Sequence, residues 1–398
     1  MHSGASAQGI DFEGALRLAA ERAPLLQARR ASVQGATALQ TSAAQLPDPK
    51  LTLGIDSLPI NGPNRGSLTR DDFTQRQIGF MQEVPNRAKR AARAEGALAR
   101  TQREQALLQT ERSTIRRETG LAWLAHYFAE KRLALFDSLN GHHRLLQETA
   151  PSQLAAGKIS PSDVSMIGLE ALALADRRDE LKREAEQTGA MLRRWVGEGS
   201  ALQPVGNAPL ISVDRAFLRA NIERNPEVAA TTPMLAVAGA DVREAEAAQR
   251  GDWGWSVNYG KRGPGFGDFV SAQLTFELPL APEQRQQPLI YARQKELERV
   301  AAERDDLMRQ QTQALETLMA ELGELESKLN RLTKHTQPLT AQRTALTLSA
   351  YENGRDKLYS VLEARKQQTE LDLRLLELQG KQRAVQWRLN SFIFETAP

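Results

Sequence analysis

Much of this 398-residue chain occurs twice, and such a repeat confines it to folds in which two copies of one supersecondary unit pack together. A helical stretch from Asp11 to Arg22 is followed by Pro24-Leu25-Leu26 and a small-residue helix ending Ala43-Ala44-Gln45. The second half repeats this: a helix from Asp214 to Arg224, Pro226-Glu227-Val228, and a helix ending Ala247-Ala248-Gln249. The offset is 202 residues at the proline and 204 at Ala-Ala-Gln. Glu83-Val84-Pro85 corresponds in the same way to Glu277-Leu278-Pro279. In each half two strand-like segments lead into a very long helical stretch, a glycine-containing break and a second long helix. The pattern predicts repeats over 11–200 and 213–394, a linker at 201–212, a flexible start at 1–10 and a tail at 395–398. Ala5-Ser6-Ala7 allows two readings, a flexible small-residue start or the remnant of a processed secretory leader.

Strands are expected at 51–57 and 78–84 in the first repeat and at 255–260 and 269–278 in the second, because apolar residues alternate there with period two. In the last, Val270, Ala272, Leu274, Phe276 and Leu278 share one face, and Ser271, Gln273, Thr275 and Glu277 the other. Lipid on one side and water on the other demand this alternation. A small sheet packed on a soluble core demands the same. The segment from Ser57 to Gln77, with Pro59, Gly62, Pro63 and Gly66, reads as a long exposed loop, and 261–268 as a tighter glycine-rich turn. Four strands cannot close a barrel, since about eight are needed for a filled interior. A barrel built from this chain is therefore shared between subunits.

The helices are long. Asn86 to about Ala155 is helical apart from an irregularity at Asn140-Gly141, and at ~1.5 Å per residue it measures on the order of 100 Å. Glu283 to Ala350 matches it, interrupted at Pro338. Neither fits inside an ordinary domain, so they must lie along one another as coiled coils. Leu315, Leu318, Leu322, Leu325, Leu329 and Leu332 supply one narrow apolar stripe. No run of 18 apolar residues occurs, which excludes a hydrophobic transmembrane helix but not a membrane barrel. Net charge is only +3, so charge gives no reason to expect a nucleic-acid partner, and the absence of cysteine removes thiolate chemistry.

No cofactor, metal or catalytic site is expected. His126, among Trp123, Tyr127 and Phe128, reads as a packing residue, and the adjacent His142-His143 point in different directions on a helix. No phosphate loop or nucleophile motif occurs. The helix breaks carry more information. Gly157 and Gly354 are placed to end helices in the left-handed conformation, and Ser160-Pro161 and Asp356 to start the next ones.

The duplicated plan, the Pro24/Pro226 helices and the turn Tyr351-x-x-Gly354-x5-Ser360-Val361-Leu362-Glu363-Ala364 resemble the TolC-type outer-membrane efflux channels over about 12–394. The stretches Leu46-Pro47-Asp48-Pro49-Lys50-Leu51-Thr52-Leu53-Gly54-Ile55-Asp56-Ser57-Leu58-Pro59 and Met81-Gln82-Glu83-Val84-Pro85-Asn86 are similar to the branch serving heavy-metal pumps of the resistance-nodulation-division class. This resemblance implies an α+β membrane protein in the bacterial outer membrane, with its helical portion in the periplasm. It would be a homotrimer giving four strands per chain to one 12-stranded β-barrel, continued by an antiparallel coiled-coil helical barrel. Its function would be the passive exit duct of a tripartite pump for heavy-metal cations or other small toxic compounds. Its partners would be a periplasmic adaptor and an inner-membrane pump, and it would not be an enzyme. Val270, Leu274 and Phe276 would face lipid, with Gln273 and Thr275 toward the lumen. Hairpin tips at Gly157 and Gly354 would place Asp163, Asp356, Glu363, Arg355 and Arg365 at the periplasmic gate, with Arg355, Lys357 and Arg365 as partners of the acids. Where the family often carries D-V-L-D at the tip, Ser360 replaces the first acid and Glu363 keeps the second, while Asp163 holds an acid in the first turn. Many members carry a lipidated N-terminal cysteine; this chain has none, so no lipid anchor is expected. The rival reading is a soluble periplasmic adaptor or coiled-coil scaffold.

Overall fold

The computed structural model describes residues 9–157, 159–198 and 202–393. Residues 1–8 of the expected flexible start at 1–10, including Ala5-Ser6-Ala7, the tail at 395–398 and the side chain of His142 lie outside the described residues. The elements are α1 (Phe12–Arg22), α2 (Pro24–Ala43), β1 (Lys50–Asp56), β2 (Gln75–Val84), α3 (Arg87–Ala155), α4 (Pro161–Val196), α5 (Arg215–Ala220), α6 (Pro226–Ala247), β3 (Trp253–Lys261), β4 (Phe269–Phe276), α7 (Gln286–Arg331), α8 (Gln337–Glu352) and α9 (Leu358–Asn390). Two compact units result. The first comprises Met1–Gln27, Gln109–Pro226 and Met308–Pro398, the second Ala28–Leu108 and Glu227–Leu307, so each draws on both halves of the chain.

The first unit is helical. α3 runs without a break through Asn140-Gly141, where an irregularity was expected, and also through Pro151. The expected interruption at Pro338 is instead a π-helical turn, 332–336, after which the helix continues as α8. Proline has no N–H for the carbonyl four residues back and its ring crowds that carbonyl; widening the preceding turn accommodates both. The segment expected as a helix over 214–224 is a short α5, capped by Asp214, followed by a 3-10 turn, 222–224. Leu315, Leu322, Leu325 and Leu329 are buried against Leu375, Leu378, Val385 and Leu389 of α9, with Leu318 and Leu332 partly buried beside them. The alternating spacing of three and four along α7 is that of a coiled-coil seam. A second core places Phe12 edge-on to both Trp123 and Trp387, at 5.3 and 4.9 Å between ring centroids. Each indole N–H finds a backbone carbonyl, Trp123 that of Ile10 at 3.0 Å and Trp387 that of Arg117 at 2.9 Å, so neither buried ring strands a donor.

The second unit carries one antiparallel sheet in the order β1-β2-β3-β4. β2 starts three residues before the expected 78, because its polar opening residues still form backbone ladders with β1 and β3. β3 likewise starts two residues before 255 and runs one beyond 260. β1 ends one residue short of 57, where Ser57 takes a positive φ of 57°. β4 ends at Phe276, short of 278, because the Glu277 N–H turns to the Asp252 carbonyl at 2.8 Å and Pro279 has no N–H to donate. α7 begins three residues after the expected 283, behind a turn at 282–285.

The helix–sheet corner is built by Asn86. Its side chain caps α3 by accepting the Lys89 N–H at 2.9 Å, and its amide donates to the carbonyls of Ala247 and Arg250 at 3.0 and 2.7 Å. Its backbone N–H donates to Asp252 at 2.9 Å, and Lys89 pairs with the same carboxylate at 2.7 Å. Partial burial pushes Asp252 upward, but the Lys89 ammonium and the Asn86 N–H outweigh it and hold the carboxyl below its usual range. Ion pairs Arg93–Glu244 (2.7 Å), Arg100–Asp241 (2.6 Å) and Glu95–Arg243 (2.9 Å) then join α3 to α6. Among the described residues no helix is long and apolar enough to cross a membrane.

Candidate functional site

Two places bear on function, one in each unit. In the first unit the helix ends meet around the hairpin turns. Gly157 and Gly354 both have positive φ, 66° and 69°, with open space around them, so backbone conformation and not crowding selects glycine. At Gly354 the N–H donates to Tyr351 O (2.9 Å) and that of Arg355 to Ala350 O (2.8 Å), the paired bonds of a Schellman motif. Ala150, Ile159, Ile167, Leu358 and Leu362 form a small core that ties the two turns together.

The acids at this tip are engaged by their own helices. Asp163 accepts the Ser160 N–H (2.8 Å) and hydroxyl (2.7 Å), while the Ser160 hydroxyl oxygen accepts the Asp163 N–H (3.2 Å), a reciprocal capping box on α4. These Ser160 contacts, with a smaller contribution from the Lys357 charge, hold Asp163 below its usual range. Asp356 is lowered in the same way by the Ser360 hydroxyl and the Lys357 N–H, each at 2.7 Å. Glu363 accepts the Gln367 amide at 2.7 Å.

Of the expected cation partners Lys357 acts on Asp163 through its charge, without closing on it as an ion pair. Among the described residues Arg355, Lys357 and Arg365 make no ion pair within 4.0 Å in the protomer. The physical reason is reach: an acid beside a helix N-terminus finds backbone N–H groups and hydroxyls at shorter range than a flexible cation. Arg365 instead lines a cleft of about 550 Å³ with His143, Arg177 and Glu370, in which Arg177 bridges Glu180 (2.7 Å) and Glu370 (3.2 Å).

The cation connected to Glu363 is one the sequence did not single out. Gln367 accepts from Arg343 of α8 at 2.8 Å while donating to Glu363, making a relay between neighbouring helices. Near it Gln337 donates to Asp372 at 3.3 Å, and burial pushes that carboxyl up. An arginine 20 residues before Glu363 gives no local signal; only the pairing of α8 with α9 brings it near. His126 is buried, beside Thr188 at 3.2 Å and against Gly189, and burial lowers its pKa. It packs as expected.

In the second unit the site is the sheet itself. Register places Leu51, Leu53, Ile55, Ile78, Phe80, Trp253, Val257, Tyr259, Val270, Leu274 and Phe276 on one face, because directly paired residues in an antiparallel sheet point the same way. The other face carries Thr52, Gln77, Ser256, Asn258, Ser271, Gln273 and Thr275. The apolar face is not buried: Leu53 is 73% exposed, Val270 69%, Leu274 63% and Phe276 63%. β1 and β4 are edges, each paired on one side only. Among the described residues this sheet therefore has an exposed apolar face and two unpaired edges, the features that make a surface available for association.

No family model and no curated protein sequence matches the chain. Solved structures do. CusC, solved in a study of folding and transmembrane channel formation, aligns with a TM-score of 0.82 at 11% identity over 96% of this chain and 92% of that one. The outer membrane protein VceC of Vibrio cholerae aligns at 0.77 and 15% identity, over 96% and 95%. The Campylobacter jejuni CmeC outer membrane channel aligns at 0.80 and 10% identity, over 97% and 87%. The chain therefore has the fold of outer-membrane channel proteins.

Proposed function

We propose that the protein is the outer-membrane exit duct of a tripartite efflux system, assembled as a homotrimer and docked to a periplasmic adaptor and an inner-membrane pump. The observation that carries this reading is the sheet, apolar on one exposed face, polar on the other, and open at β1 and β4. An open edge in lipid leaves backbone groups unsatisfied at several kcal/mol each, so four strands must join strands of other copies. Three copies supply twelve strands, enough to enclose water, with Val270, Leu274 and Phe276 toward lipid and Gln273 and Thr275 toward the lumen. Trp253, at the helix end of the apolar face, suits a membrane interface. The two halves are tandem copies of one unit, and the tip around Gly157, Gly354, Asp163, Asp356, Glu363, Arg355 and Arg365 is the periplasmic gate.

The cargo is heavy-metal cations or other small toxic compounds; the motifs at 46–59 and 81–86 support the metal reading. The protein contributes a path, and energy and selection belong to the pump. A soluble adaptor is not favoured, since it would have to leave this apolar face in water. Detergent extraction followed by mass measurement and planar-bilayer recording tests the duct. A heat-sensitive trimer with single-channel conductance is expected, and a folded monomer in the soluble fraction overturns it. Sensitivity of a deletion strain to copper, silver, zinc, cobalt and cadmium tests the cargo.

A further inference from the structure

The apolar sheet face changes character at the end where both hairpin loops lie. Register sets Arg76 of β2 directly opposite Lys261 of β3, with Ile55 of β1 on its other side. All three belong to the face of Leu53, Ile78, Val257 and Tyr259. Two cations facing each other across a strand pair repel, which costs stability unless something anionic joins them. Among the described residues neither makes an ion pair, and the Arg76 Nε is buried without a hydrogen-bond partner.

The nearby acids are engaged elsewhere. Asp268 accepts the Tyr259 hydroxyl. Asp56 lies on the polar face and accepts the Ser57 N–H at 3.0 Å. Asp71 accepts the N–H groups of Phe73 and Thr74, and Asp72 that of Gly265. Arg262, the next cation, stacks over the Phe269 ring at 4.5 Å.

We propose that Arg76 and Lys261 bind the phosphate of an anionic membrane lipid in the leaflet on the loop side, with its acyl chains along the adjoining apolar face; this rests on the membrane reading above. A guanidinium beside an ammonium suits a phosphate, the first by its fork of donors and the second by its point charge. Continuity with the apolar face selects a lipid over free phosphate. The depth agrees: from Trp253 to Lys261 a strand covers ~26 Å, or roughly 20 Å of depth at a tilt of ~40°, close to the ~25 Å apolar band of a membrane barrel.

The test is lipid retention by the full-length protein in nonionic detergent, read by native mass spectrometry with lipid A, dephosphorylated lipid A or excess inorganic phosphate. Vesicle flotation of the same preparations runs in parallel. The wild type is expected to prefer lipid A over its dephosphorylated form by about tenfold, the size of one net charge-assisted hydrogen bond. Arg76→Gln with Lys261→Gln should remove that preference. Arg76→Lys should keep most of it, and Lys50→Gln, on the polar face at the other end, all of it. A double variant that keeps the preference while both proteins float with vesicles overturns the lipid site alone. Competition by inorganic phosphate as effective as by lipid A also overturns it, in favour of a free-anion site. A wild type that does not float overturns the membrane reading and the proposal with it.

Discussion

The helices of the first unit and the sheet of the second treat the same kind of residue in opposite ways. Leu322 on α7 is 1% exposed and Leu192 on α4 not at all, whereas Leu53 and Leu274 on the sheet are 73% and 63% exposed. The difference does not lie in local pattern, since each segment keeps its apolar residues on one side. It lies in what the chain supplies opposite. α7 meets Leu375, Leu378 and Leu389 of α9 within the same protomer, while among the described residues the apolar sheet face stays exposed. One surface is finished by folding; the proposed duct would finish the other by assembly and lipid.

The largest effect expected from this contrast is at the finished surface. Leu322→Ala should lower stability by about 2–5 kcal/mol, because a buried leucine leaves a cavity. Thermal unfolding in detergent measures it, and Leu53→Ala should stay within ~0.5 kcal/mol in the same experiment. Equal losses would mean that the sheet has an apolar partner within the chain. Next comes Leu274→Arg, at ~2–4 kcal/mol if its position is at the bilayer midplane. Assembly into trimers should fall for this variant, while Gln273→Arg assembles and shifts conductance; equal tolerance of both breaks the comparison.

Smaller effects are expected at the tip. Ser160→Ala removes the α4 capping box and should cost about 1 kcal/mol at neutral pH. The Asp163 carboxyl is held below its ordinary 3.8, so its share of stability is present above that value and is lost as pH falls through the lowered native one. The gap between wild type and Ser160→Ala should therefore narrow in acid, as pH-dependent unfolding would show; a constant gap would assign the loss to the serine hydroxyl alone. The smallest effect belongs to Arg355 and Arg365. Replacing both by alanine should change protomer unfolding by less than ~0.5 kcal/mol, since neither is ion-paired among the described residues. Any rise in single-channel conductance would then report contacts between copies. Glu363→Gln should weaken cation block from the tip side, and unchanged block would leave Glu363 as a partner of Gln367 only.

The motifs that pointed to a heavy-metal branch show how a sequence signal can be structural in origin. Asn86 closes one of them, and its side chain ties the start of α3 to the end of α6. Gln82 in the same stretch donates to the Pro47 carbonyl of the other motif at 2.8 Å. Gln82 and Asn86 thus build a corner, and the support these motifs lend to a metal cargo rests on their resemblance to that branch and not on any contact they make.

Period-two alternation by itself determined which residues of β4 share a face, because neighbouring side chains on a strand must point oppositely. Glycine at 157 and 354 likewise determined where the hairpins turn, through a backbone conformation that other residues adopt at a cost. The leucines of α7 marked their seam by spacing alone. Three things waited for the tertiary structure. Alternation is identical for a sheet on a soluble core and a sheet in lipid, and only the tertiary structure showed Leu53 and Leu274 exposed and not packed against a core. Asp163 and Asp356 were expected at the gate with Arg355, Lys357 and Arg365 as partners, and only the structure showed Ser160 and Ser360 holding them. Arg343 reached Glu363 through Gln367, and Arg76 came to face Lys261, only by the pairing of elements far apart in the chain. Local patterns determine a residue's face and its turn, because those follow from a few backbone angles; which groups meet across that face follows from packing, which no short stretch of sequence contains.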